Sequence, residues 1–298
     1  MKQLDVHRKD GRFPIDDAVR IFREFGIVVL KQYFPRSVQA ALRASLEARL
    51  AEAHLDGGLL KIDKFPEADF LLGDVLAVRE VAAMDNIFFS DECVEVVKAL
   101  LDAKELCYWG DSSVQFGEAA RGFHKDNVDR SDSAGDDWQR DYGLIRCGFY
   151  LQDHDRCSGG LKVRLGSHRI ANHLEGRIAD VSTQFGDLVL WNMRLTHSGN
   201  NRRLRMLPGI PLHPRLEELV PAAACAPEAA RRIAAFCSFG KPGTHLDRYI
   251  ARMNERDGDY RAYLQRAMAP AEATAFLSRR GVTFRRPNDY YGELDRCP

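Results

Sequence analysis

Two histidines and one aspartate carry the most specific chemistry in this sequence. In the segment GFHKDN, His124 and Asp126 stand two residues apart. On an extended strand, positions i and i+2 point to the same side, so the pair can reach a single cation. A third ligand must come from elsewhere, and the best candidate is His197 in LTHSGNN, 73 residues further on. Two imidazoles and one carboxylate on one face leave three positions of an octahedral metal open. That is the facial arrangement of non-haem iron(II) oxygenases. The spacing by itself is common: His54/Asp56 and His245/Asp247 repeat it, and His173/Glu175 comes close. Context separates them. His54 and Asp56 close a helical pattern before Gly57-Gly58, and His245 is the last histidine of the chain. Only His124/Asp126 opens a strand-rich stretch with a histidine near its end.

The elements that must position these residues follow from periodicity. Ile15, Ala18, Val19, Phe22 and Phe25 recur at helical spacing after Pro14, and Gly26 can stop that helix. Ile27–Leu30 then reads as a short strand. Ser37 is placed to cap a second helix carrying Val38, Leu42, Leu46 and Leu50, and 92–101 reads as a third. From about 105 to 215, short apolar runs are broken by Gly, Asp, Asn and Ser. The clearest strands there are 144–152, 160–163, 187–191 and 204–212, a pattern that predicts a sandwich or barrel. The polar segment 127–142 reads as a mobile loop able to close over a substrate. Residues 229–236 and about 246–268 read as helices.

Several of these segments resemble the phytanoyl-CoA dioxygenase family of iron(II)/2-oxoglutarate oxygenases. REFGIVVLKQYFP (23–35) is similar to its opening helix and strand. YLQDHDRCSGGLKVRLGSH (150–168) resembles its strand, turn and strand ending in Gly-Ser-His, and FGDLVLWNMRLTHSGN (185–200) its approach to the distal histidine. The match covers roughly residues 14–215. It implies an all-β core with flanking helices, folded as a double-stranded β-helix (a cupin-like jelly-roll). The chain is then one oxygenase domain, 1–298: a helical region at 1–104, the jelly-roll core at 105–215 and a second helical region at 216–298. The resemblance also implies iron(II) on His124, Asp126 and His197, with 2-oxoglutarate and O2 as co-substrates. The expected reaction is hydroxylation of a C–H bond in a small molecule, coupled to decarboxylation of 2-oxoglutarate to succinate. Related halogenases carry a small residue where Asp126 stands, so a carboxylate there implies a non-halogenating oxidation.

In the family an arginine on the strand after the distal histidine, some nine to eleven residues on, holds the far carboxylate of 2-oxoglutarate. Here that window contains Met206, Leu207 and Pro208, which makes Arg205 the first choice and Arg203 the second. Ser113 and Gln115, on the segment before the metal pair, are expected to help bind the co-substrate. Tyr150 and Trp191 read as core, His168 as a structural turn residue, and His154 as exposed or structural.

Composition narrows the classes. Lys plus Arg and Asp plus Glu are 43 each, which asks for neither nucleic acid nor an anionic membrane. No apolar run is long enough to span a bilayer. The polar start MKQLDVHRKDGRF and seven scattered cysteines fit a reduced, cytoplasmic protein. Oligomeric state is not legible. Two other readings keep the same residues: a cupin-like metal-dependent isomerase or hydrolase, and a catalytically degenerate binding protein.

Overall fold

The computed structural model describes residues 2–56, 60–61, 70–73, 87–117, 122–139, 141–199, 201–255 and 270–285. A short strand β1 (Asp5–Val6) precedes helix α1 (Ile15–Phe25), which buries Ala18, Ile21 and Phe22 on one face. Gly26 ends α1 in the left-handed region at φ 79°, and a Cβ there would stand 2.5 Å from His168 Nδ1. Both the backbone angle and the close approach require glycine. Strand β2 (Ile27–Leu30) follows, buried throughout. Helix α2 (Arg36–Asp56) begins one residue ahead of Ser37, so Ser37 lies in its first turn and does not cap it. Strands β3 (Leu60–Lys61) and β4 (Phe70–Gly73) come next, then α3 (Asp91–Leu101), capped by Ser90 Oγ accepting from Cys93 N.

The remaining elements are β5 (Leu106–Tyr108), β6 (Ser112–Phe116), α4 (Asp136–Gln139), β7 (Leu144–Tyr150), β8 (Lys162–Leu165) and β9 (Arg177–Asp180). They continue with β10 (Leu188–Asn192), β11 (His197–Ser198), α5 (Pro214–Glu217), β12 (Ile233–Gly240), α6 (Thr244–Asn254), α7 (Pro270–Ser278) and β13 (Val282–Phe284). Among the described residues they build two sheets. One is 10-stranded and mixed, in the order β1-β2-β10-β7-β12-β6-β4-β3, with β5 and β13 attached beside β12. The other is 3-stranded, β11-β8-β9, and His124 bridges to His197 at its β11 edge.

The sheets pack face to face, with Trp191 of one 5.7 Å from His197 of the other, centroid to centroid. Alternation assigns the faces. On β7, Phe149 packs outward against Phe34 and Phe88, which turns Arg146, Gly148 and Tyr150 inward. Register carries that inner row across to Trp191 on β10, to Ala234, Phe236 and Ser238 on β12, and to Ser113 and Gln115 on β6.

Two expectations fail here. Residues 229–236 are not a helix: Ile233–Gly240 is the buried strand between β7 and β6. Its run IAAFCSF is too short for periodicity to separate strand from helix, and ladders on both sides decide. Residues 204–212 are not a strand either. Only Leu204 bridges, to Cys225, and Met206, Leu207 and Ile210 are exposed. The sheets thus draw strands from both sides of 105–215. The helix expected at 246–268 is α6 as far as Asn254, and its later part lies outside the described residues.

Candidate metal centre

His124, Asp126 and His197 converge. Their ligand atoms all lie within 4.8 Å of one another. His124 Nε2 is 3.8 Å from Asp126 Oδ1, and His197 Nε2 is 3.6 Å from Asp126 Oδ2. These separations are too long for hydrogen bonds and leave room for a shared ion. Backbone pairing fixes the approach: His124 N donates to His197 O at 3.0 Å, His197 N to His124 O at 2.9 Å, and Asp126 N to Met193 O at 2.9 Å. Each imidazole is oriented from behind. His124 Nδ1 lies 3.0 Å from Gly122 O and His197 Nδ1 3.0 Å from Leu195 O. A carbonyl can only accept, so Nδ1 carries the proton and Nε2 presents its lone pair.

The electrostatics suit a cation. Burial pushes the Asp126 carboxyl up, but Arg146, His197, His124 and Arg130 outweigh that and hold it well below the usual carboxylate range. Burial pushes His197 down to about 4, so at neutral pH it is an uncharged ligand. Asp126 Oδ2 is buried without a hydrogen-bond partner among the described residues. A carboxylate oxygen without a hydrogen bond beside two imidazole lone pairs is a donor set that suits a divalent metal. His124 is 39% exposed against 9% for His197, so the centre opens on the His124 side.

A further ring of residues holds the triad. Arg146 Nε stands 3.5 Å from Asp126 Oδ2, while its Nη2 donates to Asp111 Oδ2 at 2.9 Å. Tyr249 Oη of α6 donates to the same carboxylate oxygen at 3.3 Å. The loop after Asp126 is tied down. Asp137 Oδ2 accepts from Asn127 Nδ2 at 2.9 Å and from Asp129 N at 3.1 Å, and Arg248 of α6 donates to both Asp129 and Asp137. The stretch 127–139 therefore carries its own buried hydrogen bonds where a free lid was expected. Lys125, between the two ligands, points the other way. Its Nζ donates to Ser167 O and Arg194 O, both at 2.7 Å.

The arginines named from sequence lie elsewhere. Arg205 is exposed and its Nε donates to Cys225 O at 3.3 Å. Arg203 is buried, with bonds to Asp155 O at 2.7 Å and Val181 O at 3.4 Å. Among the described residues neither makes a hydrogen bond or ion pair with the triad. The reason is topological. The strand following His197 in the main sheet begins only at Ile233, because residues 199–232 form a long connection. Arg232, just before β12, continues the inward row of Ala234 and Phe236. It is 3% exposed, and its guanidinium carbon lies 5.8 Å from the Tyr150 ring centroid. Ser113 and Gln115 face inward and are half-buried, opposite Phe236 and Ala234. Sequence reading missed Arg146, Asp111, Tyr150 and Arg232. The available signal was Arg146-x-Gly148-x-Tyr150, a charged inward position within an apolar strand.

No family model matches the chain, and no curated protein does. Solved structures do. The non-haem α-ketoglutarate-dependent epimerase SnoN of nogalamycin biosynthesis aligns over 76% of this chain and 82% of its own, at 12% identity and TM-score 0.53. HygX from Streptomyces hygroscopicus, solved with nickel and 2-oxoglutarate, aligns over 75% and 85%, at 16% identity and TM-score 0.51. The non-haem α-ketoglutarate-dependent carbocyclase SnoK, also of nogalamycin biosynthesis, aligns over 78% and 89%, at 17% identity and TM-score 0.50. The chain shares their fold. At these identities the likeness is one of fold alone, and the chemistry has to be argued from the triad. No helix among the described residues is long and apolar enough to cross a membrane.

Proposed function

We propose that this protein is an iron(II)- and 2-oxoglutarate-dependent oxygenase acting on a C–H bond of a small molecule, in the manner of the phytanoyl-CoA dioxygenase family. The observation that carries the reading is the convergence of His124, Asp126 and His197 with Asp126 Oδ2 left without a hydrogen bond among the described residues. The strand orders support a double-stranded β-helix. β6-β12-β7-β10 form one inner wall, and the His124 bridge with β11-β8-β9 forms the other. The structural neighbours support the cofactors, since SnoN was solved with Fe3+ and α-ketoglutarate and HygX with nickel and 2-oxoglutarate.

His124, Asp126 and His197 would hold the iron, which when bound supplies O2 activation coupled to decarboxylation of 2-oxoglutarate to succinate. The chain's residues supply the rest. The two Nδ1–H bonds fix the tautomer and aim both Nε2 atoms at the centre. For the distal carboxylate of 2-oxoglutarate the proposal takes Arg232 in place of Arg205 and Arg203. Arg232 is a buried cation on the inner wall, and the Tyr150 phenol beside it offers a second donor. Ser113 and Gln115 would line the same chamber. Trp191 and Phe236, 5.9 Å apart, wall it and exclude water. The neighbours include an epimerase and a carbocyclase, so hydroxylation is the default outcome of this chemistry and not its only form.

Succinate formation from 2-oxoglutarate with iron(II), with and without the Asp126→Ala change, is the direct test. The wild type should turn over 2-oxoglutarate and the variant should lose turnover together with metal binding. Unchanged turnover in the variant would remove the assignment.

A further inference from the structure

Arg146 of β7 stands between two carboxylates and meets them unequally. Its Nη2 donates to Asp111 Oδ2 at 2.9 Å, whereas its Nε is 3.5 Å from Asp126 Oδ2 and makes no hydrogen bond to it. Both carboxylates are anchored. Asp111 lies in the turn between β5 and β6, its carbonyl accepts from Ser238 N of β12 at 2.9 Å, and Tyr249 Oη donates to its Oδ2 at 3.3 Å. Asp126 is tied by its amide to Met193 O at 2.9 Å. The guanidinium, on its longer side chain, is the member able to move. The side chains of Asp111, Arg146 and Asp126 are 8%, 19% and 15% exposed, so water screens the three charges poorly.

The charges can be counted. Two carboxylates against one guanidinium leave the trio with a single negative charge. A divalent ion at the triad then meets a ligand whose neighbouring cation is already answered by Asp111. Without the Asp111 charge the balance is zero, and the carboxylate left beside the guanidinium is Asp126. A shift of less than about 1 Å would bring Nε to the usual length of a charge-assisted hydrogen bond with Oδ2. That bond would occupy the oxygen that lies 3.6 Å from His197 Nε2, and would set an uncompensated positive charge against an incoming metal.

We propose that Asp111 is a positioning residue of the metal centre: it draws Arg146 back from Asp126, cancels its charge, and so keeps Asp126 open to the metal. The inference rests on the triad being a metal site and concerns metal affinity, not the reaction that follows. It differs in sign from simple structural support. If the network only braced the triad, each lost member would weaken the site further. If Asp111 restrains Arg146, removing Arg146 corrects the removal of Asp111.

Calorimetric titration of the full-length chain with nickel, for wild type, Asp111→Asn, Arg146→Gln and the double variant, tests this. Asp111→Asn should weaken nickel binding by roughly tenfold to a hundredfold. The double variant restores the single negative charge and places two amides where the ion pair stood, so it should return to within about threefold of wild type. Arg146→Gln alone should bind nickel at least as tightly as wild type, with Asp111 keeping its bond from Tyr249. That variant decides the matter should Asp111→Asn fail to fold by circular dichroism. Wild-type affinity in Asp111→Asn, a double variant as weak as Asp111→Asn, or weakened binding by Arg146→Gln would overturn the proposal. Wild type that binds no nickel, or binds it equally well after Asp126→Ala, would overturn the metal-site reading itself and this inference with it.

Discussion

Gly148 and Arg232 show how single residues shape the chamber in front of the triad. A Cβ on Gly148 would lie 2.7 Å from the Phe236 ring and 3.1 Å from Trp191, so the glycine exists to let two aromatic rings close over β7. Gly148→Ala should force Phe236 aside and destabilise the protein by about 1–3 kcal/mol. It should also raise KM for 2-oxoglutarate, measured by succinate release, while nickel affinity stays near wild type because no ligand moves. Arg232→Gln keeps hydrogen-bonding capacity but removes the charge. It should raise KM for 2-oxoglutarate by roughly tenfold to a hundredfold, the size of a lost charge-assisted pair. Arg205→Gln should leave KM unchanged, since that side chain is exposed and bonded to Cys225 O.

At the scale of elements, helix α6 supports the His124, Asp126 and His197 triad. Arg248 clamps the loop that follows Asp126, and Tyr249 reaches Asp126 through Asp111 and Arg146. Arg248→Ala should lower metal affinity by about tenfold, read by nickel titration, with a smaller effect on KM for 2-oxoglutarate. A second element is pinned by charge. The long connection 199–232 is held to the back of β8 by Lys162, which donates to Leu212 O and to Glu217 of α5. Both side chains are buried, at 0% and 1% exposure. Glu217→Ala leaves the buried Lys162 ammonium with Asp180 as counter-charge, at 3.4 Å, and should cost about 1–3 kcal/mol, seen as a lower midpoint in urea unfolding. A Lys162→Met/Glu217→Leu double variant should recover part of that loss, because the buried ammonium goes with its partner and Asp180 keeps the Asn201 Nδ2 bond at 2.8 Å.

The whole molecule carries a pH dependence set by burial. Burial pushes His154 down from 6.5 to about 3, helped by the nearby Arg232 and Arg203, and pushes His168 down to about 4. His154 is fully enclosed, with Nδ1 3.0 Å from Thr183 Oγ1 and Nε2 3.1 Å from Gln152 Nε2. Their folded-state values lie below the unfolded one, so between the two the unfolded chain binds more protons. Stability is then complete above about pH 6.5 and falls as the pH drops toward those folded-state values. The thermal midpoint of metal-free protein should decline through this window, with His154 contributing about 2 kcal/mol of the loss near pH 5. His154→Gln should flatten that part of the curve whatever it does to stability at pH 7.

Much of the site was legible in the chain itself. The i, i+2 spacing of His124 and Asp126 needs only an extended backbone to put both on one side, and α1 with its Gly26 stop follows from local periodicity and the φ > 0 that glycine allows. Ser113 and Gln115 alternate on β6 with the buried Ser112, Val114 and Phe116, and that alternation turns them inward. What could not be read is everything set by long-range pairing. Nothing within Ile233–Gly240 tells a buried strand from a helix, and only its ladders to β6 and β7 make it one. Local spacing after His197 points to Arg205, whereas the next strand of the main sheet begins only at Ile233. The buried network of Arg146, Asp111 and Tyr249 likewise joins residues 35 and 138 positions apart, at 2.9 and 3.3 Å. Side-chain type and local spacing determine which groups are able to bind a metal. Which arginine faces that metal, and which helix steadies it, is decided by strand order, because neighbours in a sheet are chosen by burial across the whole chain.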